Sequence, residues 1–218
     1  SFIAPNLSSL LIRRNPFYLS DIETERTFNS SVLAKIPTTL NNLHMEGTFY
    51  GSIERNIISA RLPDLVTFDC ARGGGAYFHR DTRSPDGNDA FCPDVPQNVT
   101  TYNIGSNDFR SVDNNEISPN GTYANGSFSY KKLTKLVNLS VSSNYHLSDG
   151  SHSLASDSTI STINYSGTGV GLPNNLGGKS NLTSFVSTHN RGSANQLVNA
   201  SGNYLFGGCG SLKTLHLY

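Results

Sequence analysis

The chain has 218 residues, with 16 basic and 16 acidic side chains and a formal net charge of zero. That balance removes the basic face of a nucleic-acid binder and argues against a polybasic membrane anchor, and no apolar run nears the ~20 residues of a membrane span. Only 15% of the residues are charged and 36% are apolar, where roughly a quarter charged is typical. Solubility therefore rests on Asn, Ser, Thr and Gly, and the core on sparse, well-placed Leu, Ile, Val, Phe and Tyr.

Taken in chain order, one pattern recurs: apolar-x-x-apolar-x-apolar, often with Asn three residues on. The first copy has Leu7, Leu10, Ile12 and Asn15; the second has Leu40, Leu43 and Met45. Leu65, Phe68 and Cys70 make the third, and Val99, Tyr102, Ile104 and Asn107 the fourth. The fifth is Leu136, Leu139, Val141 and Asn144, and the sixth Ile160, Ile163 and Tyr165. Leu182, Phe185 and Asn190 follow with Ser187 in the third slot, and Leu212, Leu215 and Leu217 end the series. About eight copies at this spacing fall in the range of solenoid repeats. The plain alternative is a Ser/Thr-rich β protein with ordinary alternating strands.

The pattern has a physical reason. Its second half alternates with period two, as a short strand with one buried face does. Its first apolar residue lies three positions earlier, where the chain turns into the strand. Each strand is too short to bury a core alone, so the copies must stack as a parallel sheet with their inward residues in line. An Asn amide can both donate and accept, which suits a bend with unpaired backbone groups.

This arrangement resembles the leucine-rich repeat family, whose signature is L-x-x-L-x-L-x-x-N. "LFGGCGSLKTLHL" resembles the bacterial surface-protein type in particular, with Phe and Cys shortly before the Leu run. The resemblance implies a single solenoid over residues 1–218, α/β-type or mainly β, with about eight irregular coils. A parallel β-helix is the alternative fold. It would supply two or three strands per coil, whereas each copy here shows one strong strand and variable filler.

The segments between copies read mostly as turns and loops. Asp21 to Ile36 is an exception: acidic residues come early, Lys late, and Phe28, Val32 and Ile36 fall at helical spacing. Ser118 to Tyr130 is too rich in Asn-Gly and Ser for a helix. The longest connections run from Ala71 to Asn98 and from Ser106 to Lys135. The chain opens on "SFIAPNLSSL", with no initiator Met or basic leader, and ends within a copy. Both features lead to the expectation that it is part of a longer protein or packs against a partner.

Chemistry has few candidates. The segment Tyr77 to Asp94 crowds His79, Asp81, Asp86, Asn88, Asp89 and Asp94 into one insertion. Oxygen ligands on a loop can bind calcium, and Asp86, Asn88 and Asp89 are its candidates, although the spacing is not that of the twelve-residue calcium loop. The plainer reading is a solvated loop with an Asp-Gly turn. Cys70, His79 and Cys92 lack zinc-site spacing. A Cys70–Cys92 disulfide would tie the insertion to the sheet, but Cys70 holds an inward position and reads better as a small core residue. Ser, His and Asp lie together in "YHLSDGSHS", yet a triad joins residues from separate elements, and no nucleophile elbow is present. "GTGVG" and "GGG" lack the strand–loop–helix context of a phosphate site. Glu23, Glu25, Glu46, Glu54 and Glu116 form no evident pair for glycoside hydrolysis. No catalytic residue and no cofactor are expected.

N-x-S/T sequons begin at Asn6, Asn29, Asn98, Asn120, Asn125, Asn138, Asn164, Asn181 and Asn199. In so Asn- and Ser-rich a chain most arise by chance, so they permit a glycosylated extracellular protein without demanding one. What remains is the outward side of the strands. Its expected residues are Arg13, His44, Glu46, Asp69, Asn103, Ser140, Asn164, Thr188 and His216, joined by Gly105 and others. Such ladders commonly form a concave binding surface, here polar and weakly charged. The expectation is a non-catalytic recognition or adhesion module, extracellular or at a cell surface, taking a glycan or protein ligand. The alternative is a structural subunit of a virion or filament, packed against its neighbours.

Overall fold

A computed structural model describes residues 4–12, 35–45, 57–71, 95–105, 133–142, 154, 159–166, 176–187 and 205–217. These form an open, all-parallel sheet of eight strands in sequential order. The strands are β1 (Ser9–Leu11), β2 (Asn42–His44), β3 (Thr67–Asp69), β4 (Thr101–Asn103), β5 (Asn138–Ser140), β6 (Thr162–Asn164), β7 (Ser184–Ser187) and β8 (Thr214–Leu217). One five-residue helix, α1 (Ile57–Arg61), precedes β3. The architecture is mainly β and solenoid-like, as the repeated pattern predicts.

The three-then-two spacing has a definite origin in the hydrogen bonds. At each of the seven strand interfaces, one carbonyl accepts two consecutive amides of the next coil. Ser8 O accepts from Asn41 N and Asn42 N at 2.8 and 3.0 Å, and Asn41 O from Val66 N and Thr67 N at 2.7 and 3.0 Å. Val66, Thr100, Val137, Ser161 and Thr183 repeat the arrangement down to Lys213 and Thr214. Two residues opposing one acceptor is the hydrogen-bond signature of a bulge. The bulge inserts one residue into the period-two alternation. The apolar residue before it therefore faces inward three positions ahead of the next one, not two.

Among the described residues, a turn precedes β1 and six of the seven bulges and aims that first apolar residue. The amide of Leu7, Leu40, Leu65, Val99, Leu136, Leu182 or Leu212 donates to the carbonyl three residues earlier. Pro37 and Pro96 open two of these turns, where the acceptor carbonyl is needed and the missing N–H is not.

The register then fixes the core. Leu10, Leu43, Phe68, Tyr102, Leu139, Ile163, Phe185 and Leu215 stand opposite one another from β1 to β8. Leu43, Phe68, Tyr102 and Phe185 are wholly buried, as are the flanking Leu40, Leu65, Val99 and Leu182. Phe68 stacks on Tyr102 with ring centroids 5.7 Å apart, and Phe185 meets Phe206 edge-on at 5.1 Å. Ile58 and Leu62, at i and i+4, bring α1 onto the same core before Pro63 follows the helix. At the far end Leu215 is 41% exposed, although its position predicts burial, because β8 has a neighbour on one side only. Cys70 is a buried core residue as expected; Cys92, and with it the question of a bridge, lies outside the described residues. So does residues 21–34, the bulk of the helix expected from Asp21 to Ile36.

The last two coils enter their strands through a paired glycine device. Leu176–Lys179 and Phe206–Cys209 are turns with Gly178 at φ 76° and Gly208 at φ 78°, as a type II turn requires. The two turns stack, with Gly178 N donating to Gly207 O at 2.7 Å. A Cβ on Gly208 would stand 3.1 Å from the Gly178 Cα.

Two stability predictions follow from this packing. Phe68→Ala is expected to cost about 3–5 kcal/mol in urea unfolding, because it empties the middle of the shared core. Gly208→Ala is expected to cost at least ~1–2 kcal/mol from its left-handed backbone alone, while Gly210→Ala, which meets nothing within 4 Å, changes the midpoint far less.

Candidate functional site

The outer face of the sheet carries two rows of side chains. One row comprises Leu11, His44, Asp69, Asn103, Ser140, Asn164, Val186 and His216, one per strand in register. These include six of the expected ladder residues. The other row is Ser9, Asn42, Thr67, Thr101, Asn138, Thr162, Ser184 and Thr214. The sequence reading placed the ladder two residues too far along each strand and so missed this row. The signal was there: residues i and i+2 of a strand share a face, so the residue before each inward one is as outward as the residue after it.

The shift also corrects Gly105. It is buried rather than laddered, and a Cβ there would stand 2.8 Å from Ser142 Oγ and 3.3 Å from Asn103 Oδ1. Arg13, Glu46 and Thr188 lie outside the described residues, as do the calcium candidates Asp86, Asn88 and Asp89. Among the described residues, no group of three or more His, Cys, Asp or Glu is placed to hold a metal ion.

Three members of the expected ladder have a structural task as well. Asp69 Oδ1 accepts from Ala71 N at 3.0 Å, Asn103 Oδ1 from Gly105 N at 3.1 Å, and Asn164 Oδ1 from Ser166 N at 3.2 Å. Each is an Asx turn that bends the chain off its strand. The bond uses only Oδ1, so the Nδ2 groups of Asn103 and Asn164 keep donors to offer on the face. His44 Nδ1 stands 3.6 Å from Asp69 Oδ2 across β2 and β3, an ion pair when the imidazole is protonated.

Between β4 and β7 the face dips into a shallow, open groove of about 260 Å³. Thr101, Asn103, Asn138, Ser140, Thr162 and Asn164 supply its polar side chains, with Ser184 and Val186 at one end. Among the described residues that line it there is no carboxylate, imidazole, thiol or amine, and Tyr102 is wholly buried. Its middle is a relay of three side chains. Thr162 Oγ1 donates to Asn138 Oδ1 at 2.6 Å, and Asn138 Nδ2 donates to Thr101 Oγ1 at 3.3 Å. The direction of the relay sets what its ends present. Thr101 accepts and still has its own O–H to donate; Thr162 donates and still has lone pairs to accept with. These ends lie about 10 Å apart, two strand spacings.

Comparison with protein-family models, with curated proteins and with solved structures returns no match to this chain. Among the described residues no helix is long and apolar enough to cross a membrane.

The relay is testable apart from any ligand. Thr162→Val keeps the shape and removes the hydroxyl that orients Asn138. The expected loss is about 1 kcal/mol of unfolding free energy. In a double-mutant cycle with Asn138→Ala the two losses should fall short of additive; full additivity would show that the bond contributes nothing.

Proposed function

We propose that the chain is an irregular leucine-rich repeat solenoid that acts as a non-catalytic recognition module, outside the cell or at its surface. Its ligand is an uncharged, polyhydroxylated molecule, a glycan, held along the groove over β4 to β7. The observation that carries this reading is the neutral groove with a donor at one end of its relay and an acceptor at the other. A sugar hydroxyl both donates and accepts, so adjacent hydroxyls complement such a surface. A protein ligand fits less well, because among the described lining residues the one aromatic, Tyr102, is wholly buried and no Arg is present, so the groove lacks the exposed anchors that concentrate binding energy at protein interfaces.

The repeat assignment is supported by one strand in the described part of each coil and by a single core shared among the described residues, whereas a β-helix coil would bring further strands. A second reading, a structural subunit of a filament or virion, draws support from the two end strands. Leu11 is 56% exposed on the outer face and Leu215 is 41% exposed at an inward position of β8, two apolar side chains that a neighbouring subunit would cover.

A glycan array probed with the purified chain, followed by titration calorimetry on the best binder, decides between them. Recognition predicts binding to neutral glycans with an affinity insensitive to salt from about 0.05 to 0.5 M, since screening acts on charge. Asn138→Ala and Thr162→Ala should each weaken that binding by about tenfold with unchanged circular dichroism. Retention of no glycan, or binding indifferent to both substitutions, would sink the reading. Particles of fixed stoichiometry that assemble equally well from both variants would favour the structural subunit.

A further inference from the structure

Five of the sequons fall on described residues, and the fold separates four of them sharply; the fifth, Asn164, is exposed in β6 with its Oδ1 accepting from Ser166 N at 3.2 Å. Asn6, Asn98 and Asn181 occupy one structural position. Each is the third residue of the four-residue turn before its strand: Ala4–Leu7, Pro96–Val99 and Lys179–Leu182. All three side chains are exposed. The hydroxyl residue of each sequon, Ser8, Thr100 or Thr183, is then the residue whose carbonyl accepts two amides from the next coil or, for Thr183, from β8's coil. The equivalent residues in other coils are Thr39, Asp64, Lys135, Thr159 and Ser211, all exposed as well. This row runs along one rim of the sheet, beside the groove and not in it.

The three asparagines belong to the first, fourth and seventh strands of the sheet. Three strand spacings separate each from the next, about 14 Å. Chains attached at this interval project from one rim without crowding one another. At Asn98 the carboxamide is already held, with Lys135 Nζ donating to its Oδ1 at 2.8 Å. That bond leaves Nδ2 to the solvent side and survives substitution there.

Asn138 is the opposite case. It lies in β5, partly buried, with Nδ2 donating to Thr101 and Oδ1 accepting from Thr162. A sugar on its Nδ2 would have to occupy the middle of the sheet face and displace the relay.

We propose that Asn6, Asn98 and Asn181 are N-glycan acceptors on one rim of the solenoid and that Asn138 is not. The donor is a lipid-linked oligosaccharide pyrophosphate, used by a membrane-bound transferase. Asn Nδ2 attacks the anomeric carbon, the new C–N bond replaces the C–O bond to pyrophosphate, the lipid pyrophosphate leaves, and one amide proton passes to the transferase's base. The inference rests on the extracellular location proposed above.

The test directs the whole chain into the secretory pathway of a eukaryotic cell with a cleavable leader. Glycopeptide mapping by mass spectrometry then reads each site in the folded, secreted protein. Occupancy at Asn6, Asn98 and Asn181 with Asn138 bare is the expected result. Ser8→Ala, Thr100→Val and Thr183→Val should each remove one glycan, and Ser140→Ala, which destroys the Asn138 sequon while keeping its amide, should remove none. Bare turn sites, or a glycan on Asn138, would overturn the assignment. Because the leader supplies the route, this outcome is independent of where the native protein resides; a native protein without glycans, beside a directed one with three, would count against the extracellular reading alone.

Discussion

One carbonyl serving two amides, repeated at every strand interface, is the constraint on which the structure depends. It determines how each coil enters the sheet. An ordinary strand turns alternate amides to opposite edges; here two in succession point to the same acceptor. The inserted residue lets the leading Leu and the strand's central residue both face inward, and so each three- or four-residue strand anchors two large side chains instead of one. A carbonyl has two lone pairs and can satisfy both donors, so the bulge leaves no buried amide unpaired. The cost of a short strand is thereby offset by a denser core, and that core is common property: Phe68 packs on Tyr102 of the next coil, not on its own.

The same constraint decides what the outer face can be. With its apolar residues turned inward, the strand leaves only two outward positions. In the middle of the sheet these are filled by Thr, Asn and Ser. Side chains of this size, one strand spacing apart, bond to one another across strands. They stabilise the register locally, because slipping one coil by a residue would break Thr162 from Asn138 as well as bury a polar row. A face that satisfies part of its own hydrogen bonding offers a ligand fewer but better oriented groups. Orientation lowers the entropy lost on binding, which matters for a ligand held by weak polar contacts.

Much of this was legible in the sequence, and the rest was hidden for identifiable reasons. The inward residues from Leu43 to Phe185 were readable because burial on one face forces apolar residues onto a fixed spacing. The outward rows have no such pressure, and their reading slipped along the strand by two: Asn103 and Ser140 were found, Thr101 and Asn138 were not. Gly105 was misplaced because its burial comes from contact with Ser142 and Asn103, two residues whose approach depends on an Asx turn that any Asn might or might not make. The asparagines expected at the bend, Asn15, Asn107, Asn144 and Asn190, lie outside the described residues; the described Asx turns use Asp69, Asn103 and Asn164 at the strand ends. Helix α1 and the residue after it contribute only Ile58 and Leu62 to the described core, too short a stretch to show a period.

The rim and the face obey different selection, and this is why identical sequon letters have different meanings on them. The turn position of Asn98 carries Asn, Asp, Lys, Thr or Ser in different coils, since the turn's hydrogen bond is made by backbone and the side chain is exposed, even where it bonds to the neighbouring coil as Asn98 does to Lys135. Asn138 is tied into the face on both sides: its Nδ2 donates to Thr101 Oγ1 and its Oδ1 accepts from Thr162 Oγ1. On the rim, then, Asn is one choice among several, available for attachment. On the face it is part of the fold. Bulky additions at the rim leave the groove open, whereas the same addition at β5 would break the relay and fill the groove.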